Sequence, residues 1–401
     1  MGRSDELGGR TVFLVAGEHS GDALGGPLMS ALAARLGPGT RFAGVGGARM
    51  QRAGLTSLFP LEDVAVMGPL AILKRLPHIV RRVHETVDAA IAAEPDVVVI
   101  IDSPEFTHPI AKRIRKRRPS IPIVDYVSPS VWAWRPGRAR RMRAYVDHVL
   151  GLLPFEPAAH ERLGGPPCTY VGHPLAERRQ WFAEVDPAPL AARLGLDPDK
   201  PVLVVLPGSR RSEVTRLMAP FGETVCRLEA SGPAVEIVLP AVASVRREIE
   251  AALAAWQRPV HLVEGEEDKV AAFKLARAAL AASGTVTLEL ALAGTPMVVA
   301  YRVDALAAQL RFLLKVHSVV LANLVLGENA FPELLQEDCE PQKLATELAA
   351  VMRDGPVRDR QLAALARFPL LMRYQGASPS DAAAAIVARY VEGGRKPPPA
   401  G

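Results

Sequence analysis

The sequence predicts an α/β protein built from two parallel-sheet domains that face a cleft. Three observations lead there. The chain has 401 residues, whereas a single hydrophobic core stops growing at about 250 to 300. Wholly apolar runs of Val, Ile and Leu recur, each ending at a polar loop with Gly, Ser or Pro and followed by a helix-compatible stretch, as strands buried on both faces of a parallel sheet do. The alternation starts afresh near residue 200 without repeating the sequence. The division is a first domain over 1–174, a second over 175–370, a closing helical segment over 371–392 that packs back on the first domain, and a disordered tail over 393–401.

Bulk chemistry narrows the partners. Lys and Arg number 48 against 43 Asp and Glu, for a net charge of +5, which favours anionic ligands. Aromatics are only 5%, with no basic stretch interleaved with stacking rings, so nucleic acid is excluded as a partner. Cys168, Cys226 and Cys339 are far apart and lack metal-ligand spacing, which implies a reducing compartment and no metal. No signal core opens the chain, and no apolar run approaches the roughly 20 residues of a membrane span. The expectation is a cytoplasmic protein whose membrane contact, if any, is at the surface.

In the first domain, Thr11–Ala16 reads as a strand that stops at Gly17-Glu18-His19-Ser20-Gly21-Asp22 before a helix to about Leu36. Glu18, Ser20, Gly21 and Asp22 would then crowd the carboxyl end of a strand, where open α/β sheets bind ligands. Ser20 or Asp22 is also suited to cap the helix. After a short strand at Arg41–Val45, the apolar residues Val64, Val66, Met67, Leu70, Ile72 and Leu73 lie beside Lys74, Arg75, Arg81 and Arg82. That composition fits an interfacial membrane contact, and an amphipathic helix packed on the core fits almost as well. The run Val97–Ile101 is a buried central strand with Asp102 at its end, placed either to face the crevice as a base or to cap the turn at Ser103-Pro104. The next helix is densely basic from Lys112 to Arg118, as a solvated face or an anionic-lipid contact. A strand over 121–127 leads into Ser128, Trp132, Trp134 and Arg135, where tryptophans beside arginines suit sugar stacking, anion contact, a membrane interface or plain core packing. A strand at 149–153 and the polar stretch 177–200 complete the domain and link it to the next.

The second domain opens with Val202–Leu206, a strand that ends in Pro207, Gly208, Ser209 and Arg210 before a helix. Backbone N–H groups, a helix start and a guanidinium make an anion pocket of such a loop. Strands follow at 235–240, 261–263, 278–282 and 296–301. After the third of these, Ser283, Gly284 and Thr285 can offer donors to phosphate, and Glu289, one turn on, can accept two hydroxyls of a ribose. Asn323 could read a base edge through its amide. Ser378-Pro379-Ser380-Asp381 is a helix-start signature for the last helix.

Together, 16–22, 101–106, 126–135, 171–174, 206–210, 283–289, 296–299 and 301–302 resemble the lipid-A-disaccharide synthase family, in its order and over residues 10 to 390. Tyr126-Val127-Ser128-Pro129-Ser130-Val131-Trp132-Ala133-Trp134 is the most specific part. The resemblance implies a GT-B architecture of two Rossmann-like domains. It implies inverting, metal-independent and cofactor-free transfer of 2,3-diacylglucosamine from UDP-2,3-diacylglucosamine to 2,3-diacylglucosamine 1-phosphate (lipid X), with a β-1,6 link and release of UDP. Asp102 matches the family's general base, and Arg210 would stabilise the leaving diphosphate. The expected location is peripheral, on the anionic cytoplasmic face of the inner membrane of a Gram-negative bacterium, and a homodimer is compatible with the reading. The sequence departs from the family at Glu105 and Thr107, after the base, and at Leu321-Ala322-Asn323. The competing readings are a UDP-sugar 2-epimerase of the same architecture, sharing Arg210 and Glu289, and a non-catalytic nucleotide-sugar or lipid-binding protein.

Overall fold

The computed structural model describes residues 9–65, 69–303, 316–374 and 376–393, and the side chains of 69–74 are outside that description. The chain divides into two compact units, 1–174 with 374–401 and 175–373. Among the described residues the first unit holds seven strands: β1 (Thr11–Ala16), β2 (Arg41–Val45), β3 (Thr56–Ser57), β4 (Val97–Ile101), β5 (Ile123–Tyr126), β6 (His148–Gly151) and β7 (Cys168–Tyr170). They pair in the order β3-β2-β1-β4-β5-β6-β7, all parallel. The second unit holds β8 (Val202–Leu206), β9 (Glu236–Pro240), β10 (His261–Val263), β11 (Ala276–Ala282), β12 (Met297–Tyr301) and β13 (Glu333–Leu335), in the order β10-β9-β8-β11-β12-β13, again all parallel.

The apolar runs behave as their composition requires. Every residue of β1, β4 and β8 is buried, because helices cover both faces of each sheet. Alternate residues serve opposite cores. Phe13, Val15, Val98 and Ile100 pack with Val87, Ile110 and Ile114 on one face. Val12, Leu14, Val97 and Val99 pack with Leu28, Leu32, Ala383 and Val387 on the other. That second face needs the last helix, Pro379–Glu392, which lies along the first helix, His19–Leu36. Ser378 caps it by accepting the N–H of Asp381, and Pro379 occupies its first turn, where a missing N–H costs nothing.

In both sheets the strand order reverses once, between β1 and β4 and between β8 and β11. Loops leaving neighbouring strands there diverge to opposite faces of the sheet and leave a crevice at the carboxyl ends. The polar loops singled out in the sequence flank these two points. The stretch 177–200, expected to be a linker, holds two short helices, Arg179–Glu184 and Ala188–Leu194. No helix among the described residues is long and apolar enough to cross a membrane.

Candidate active site

At the first reversal point, β1 and β4 run in register to Ala16 and Ile101. The loop after β1 then lies against the loop after β4 so closely that a Cβ on Gly17 would stand 2.6 Å from the Cβ of Ser103. This approach puts Ser20, 82 residues away in sequence, beside Asp102: its Oγ donates to Asp102 Oδ2 at 2.7 Å. The other carboxylate oxygen accepts the N–H of Ser103 at 2.7 Å. Asp102 and Ser103 both have left-handed backbone, with φ of 56° and 44°. Such a conformation costs roughly 1 to 3 kcal/mol per residue and persists where surroundings enforce it. Here the enforcing bonds are Asp102 N–H to Tyr126 O at 3.0 Å and Thr107 Oγ1 to Asp102 O at 2.8 Å. The carboxylate is thus aimed, half-buried and doubly hydrogen-bonded.

Several neighbours named from the sequence serve the scaffold instead. Asp22 is buried, and its carboxylate accepts the N–H groups of Gly47, Arg49 and Met50 at 2.8 to 3.0 Å. It therefore caps the helix Ala48–Arg52, neither its own helix nor a ligand. Ser128 is also buried, its Oγ donating to Pro129 O at 3.0 Å and lying 2.8 Å from His160 Nε2. Trp132 stands edge-on to Phe155, with centroids 5.1 Å apart, and its indole N–H donates to Glu156 Oε1 at 3.2 Å. Both anchor the loop after β5. Trp134 remains exposed under the Arg135 guanidinium, 4.2 Å from the ring centre. Glu18 sits at the N-terminal boundary of the first helix without a side-chain cap bond, and Gly21 packs its Cα side toward Ile101 O. Burial lowers the His173 imidazole to about 4, which keeps it neutral near pH 7.

Glu156 has a testable signature. It is buried, with Oε2 accepting the N–H of Leu153 at 2.9 Å, and burial pushes its carboxyl up to about 7. Because the folded value lies above the roughly 4.3 of an unfolded chain, the folded protein holds this proton more tightly. Its stabilising contribution is full below that lower value and is lost as pH rises through about 7. We expect unfolding free energy to fall between pH 5 and pH 8 by on the order of 2 kcal/mol more in the native chain than in Glu156→Gln. Urea titrations that give both proteins the same pH dependence would remove Glu156 as the cause.

At the second reversal point the loops after β8 and β11 enclose a pocket of about 320 Å³. Gly208, Ser209, Arg210, Ser283, Gly284, Thr285 and Glu289 all line it. Two lining residues lack any local signal in the sequence. Glu213 is buried, and its Oε2 accepts the N–H groups of Ser209 and Arg210 at 3.1 and 3.2 Å. These two backbone donors, expected to face a phosphate, are therefore taken by a carboxylate. Gly208 makes this possible: its φ is 107°, and a Cβ there would lie 2.3 Å from Glu213 Oε2. The Arg210 side chain is 62% exposed and gives Nη1 to Glu213 Oε1 at 3.2 Å, leaving the other guanidinium donors for a ligand. Lys269 is the second: its Nζ lies 3.0 Å from Glu289 Oε1 and 2.9 Å from Glu266 Oε1. The helix Val286–Ala293 begins at the pocket wall, so its N-terminal end adds positive potential.

Ser283 Oγ donates to Val319 O at 2.9 Å and positions its loop. Asn323 is outside the pocket lining and fully buried, its amide donating to Phe331 O and Ser318 Oγ and accepting the Phe331 N–H. With both ends of its amide engaged it braces a loop, and the base-edge role expected of it is corrected. Val66 and Met67 lie outside the described residues, as do the side chains of Leu70, Ile72 and Leu73 and the tail 394–401. Val64 is buried in the core. Farther along the helix Pro69–Ala92, Leu76 and Val80 are exposed one turn apart, next to the exposed Arg75 and Arg81.

Solved structures of the same build are recognisable. Staphylococcus aureus MnaA, solved with UDP, has a TM-score of 0.61 at 13% identity over 96% of this chain and 97% of that one. MurG of Acinetobacter baumannii has a TM-score of 0.56 at 13% identity over 95% and 99%. With two parallel sheets and polar loops gathered where each strand order reverses, the protein has the GT-B fold. A family model described as lipid-A-disaccharide synthetase matches residues 12–387. The lipid-A-disaccharide synthase of Nitrobacter winogradskyi is 56% identical over 94% of this chain and 95% of its own, and that of Nitrobacter hamburgensis 54% over 97% of each. The chain belongs to the lipid-A-disaccharide synthase family.

Proposed function

We propose that the chain joins 2,3-diacylglucosamine from its UDP conjugate to the 6-hydroxyl of 2,3-diacylglucosamine 1-phosphate. The observation that carries the chemistry is the Asp102 carboxylate, aimed by Ser20 and Ser103 at a sheet's reversal point. A sugar hydroxyl is a poor nucleophile near neutral pH, so a positioned base must take its proton as the oxygen attacks the anomeric carbon. The new C–O bond forms as the bond to the diphosphate breaks, UDP leaves with the electron pair, and the anomeric configuration inverts. Arg210, Lys269 and the helix start at Val286 supply positive charge where the diphosphate would sit, in a route that uses no metal. Glu289, whose Oε1 pairs with Lys269, would accept ribose hydroxyls through its remaining acceptor capacity.

The test is purified protein mixed with UDP-2,3-diacylglucosamine and the 1-phosphate acceptor. Disaccharide 1-phosphate and UDP should appear in equal amounts. Folded protein that forms neither would reject the proposal, and formation of a C2 epimer of a UDP-sugar would favour the isomerase reading.

Diacylated substrates reside in a bilayer, so the protein must work at its surface, here proposed as the anionic cytoplasmic face of the inner membrane. Exposed Leu76 and Val80 beside Arg75 and Arg81 support that contact, since apolar side chains enter the interface while cations meet anionic head groups. Changing Leu76 and Val80 together to serine should lower co-sedimentation with phosphatidylglycerol vesicles several-fold, by on the order of 1 kcal/mol or more. An unchanged bound fraction would move the contact elsewhere.

A further inference from the structure

A second recess in the first unit is used by none of the roles above. It has a volume of about 180 Å³, and its walls include Glu105, His108, Lys112, Arg135, Arg138 and Arg141. Four permanent cations face one carboxylate. Glu105 is engaged with Arg138, Nη2 to Oε1, at 2.6 Å. Lys112, Arg135 and Arg141 make no ion pair with a carboxylate among the described residues. Their other contacts are weak or local: Lys112 Nζ lies 5.0 Å from the Tyr145 ring centre, Arg135 stacks on Trp134, and Arg141 Nε donates to Gly137 O at 3.2 Å. Beneath them a buried set is fixed in place. His108 is 4% exposed, with Nε2 3.2 Å from Asp125 Oδ2 and Nδ1 3.0 Å from the Tyr145 hydroxyl. Three cations without an ion-pair partner among the described residues, drawn with Arg138 around one small recess that holds a single carboxylate, leave an excess of positive charge that self-repulsion opposes unless an anion joins them.

Place and size identify the anion. The recess follows one face of the helix Pro104–Arg117, which starts two residues after Asp102, so it adjoins the base. It falls below the roughly 300 Å³ at which whole-ligand pockets begin, and so suits one group of a larger molecule. A phosphomonoester carries about −1.5 to −2 charges and three strong acceptor oxygens, and forked guanidinium donors match it. We infer that this recess binds the phosphomonoester of the acceptor while the sugar's free hydroxyl lies at Asp102. The inference rests on the acceptor named under Proposed function. It gives Lys112, Arg135 and Arg141 the task of telling a phosphorylated acceptor from its dephosphorylated form.

The experiment is equilibrium binding in detergent micelles without donor, so that it reads out whether or not transfer occurs. The probes are 2,3-diacylglucosamine 1-phosphate and the same lipid without phosphate. The native protein should favour the phosphorylated probe by about tenfold or more, the scale of one charge-assisted hydrogen bond. In the double variant Lys112→Gln with Arg141→Gln this preference should shrink to about threefold or less, and Arg141→Lys should keep part of it. Both positions are exposed, and an unchanged melting temperature will establish that the variants fold. Equal binding of the two probes by native protein, or a preference that survives in the double variant, overturns the inference. If the double variant keeps the preference but loses binding to phosphatidylglycerol vesicles, the recess reads bilayer lipid; if only inorganic phosphate is displaced, it is a free-anion site. Either result also overturns it. Failure to form disaccharide with the preference intact would reject the proposed reaction and leave this site standing.

Discussion

Replacing Asp102 with alanine is expected to slow disaccharide formation by about 10²- to 10⁴-fold, the contribution of a positioned general base. The affinity for UDP should not change, because the pocket proposed to hold UDP belongs to the second unit and Asp102 to the first. The sharper version is Asp102→Asn. Asparagine tolerates the left-handed backbone that position 102 adopts, and its Oδ1 can still accept the Ser103 N–H while its amide N–H donates to Ser20 Oγ, whose hydroxyl turns to accept, yet it cannot take a proton. The asparagine variant should therefore lose as much rate as the alanine variant while melting at the native temperature. Initial rates at saturating substrates, with calorimetric titration of UDP, measure both quantities. An asparagine variant with near-native turnover would show that the carboxylate aims the acceptor and moves no proton.

Arg210→Ala should weaken UDP binding by roughly 1.5 to 3 kcal/mol, about ten- to 150-fold, the value of a hydrogen bond to a charged group. The geometry adds a condition that the sequence alone did not contain. Because Glu213 takes the N–H groups of Ser209 and Arg210, the loop after β8 has fewer backbone donors for a diphosphate, and more of the grip falls to the guanidinium. The same carboxylate orients that guanidinium through Nη1, so Arg210→Lys should recover little of the lost affinity. Calorimetry on the three proteins checks this. A UDP affinity left unchanged in Arg210→Ala would make the residue a local partner of Glu213 and nothing more.

The central strands were legible because full burial forces unbroken apolar runs, as in Val97–Ile101 and Val202–Leu206. Of the short edge strands, His261–Val263 was legible while Thr56–Ser57, Cys168–Tyr170 and Glu333–Leu335 were not, since two or three residues of mixed exposure leave little pattern to read. The loops around the second pocket were legible for a related reason: ligand loops follow strand ends, and strand ends are easy to find. What could not be read was the use of each polar side chain. Asp22, Ser128 and Asn323 have the chemistry of ligand contacts, and only tertiary structure reveals the backbone and imidazole groups that occupy them. Conversely, Lys269 and Glu213 sit within ordinary helical sequence, and the fold alone carries them to the pocket.

The last helix, Pro379–Glu392, gives the first sheet one of its covers, yet it is made after the whole second unit. Some 200 residues separate Pro174 from Tyr374, which at a synthesis rate of about 5 to 20 residues per second is roughly 10 to 40 s on the ribosome. Throughout that interval the surface that will receive Ala383, Ala384 and Val387 is bare. The order of manufacture thus opposes the order of assembly: the half begun first is finished last, and a growing chain must guard an unsealed apolar seam until its final turns emerge.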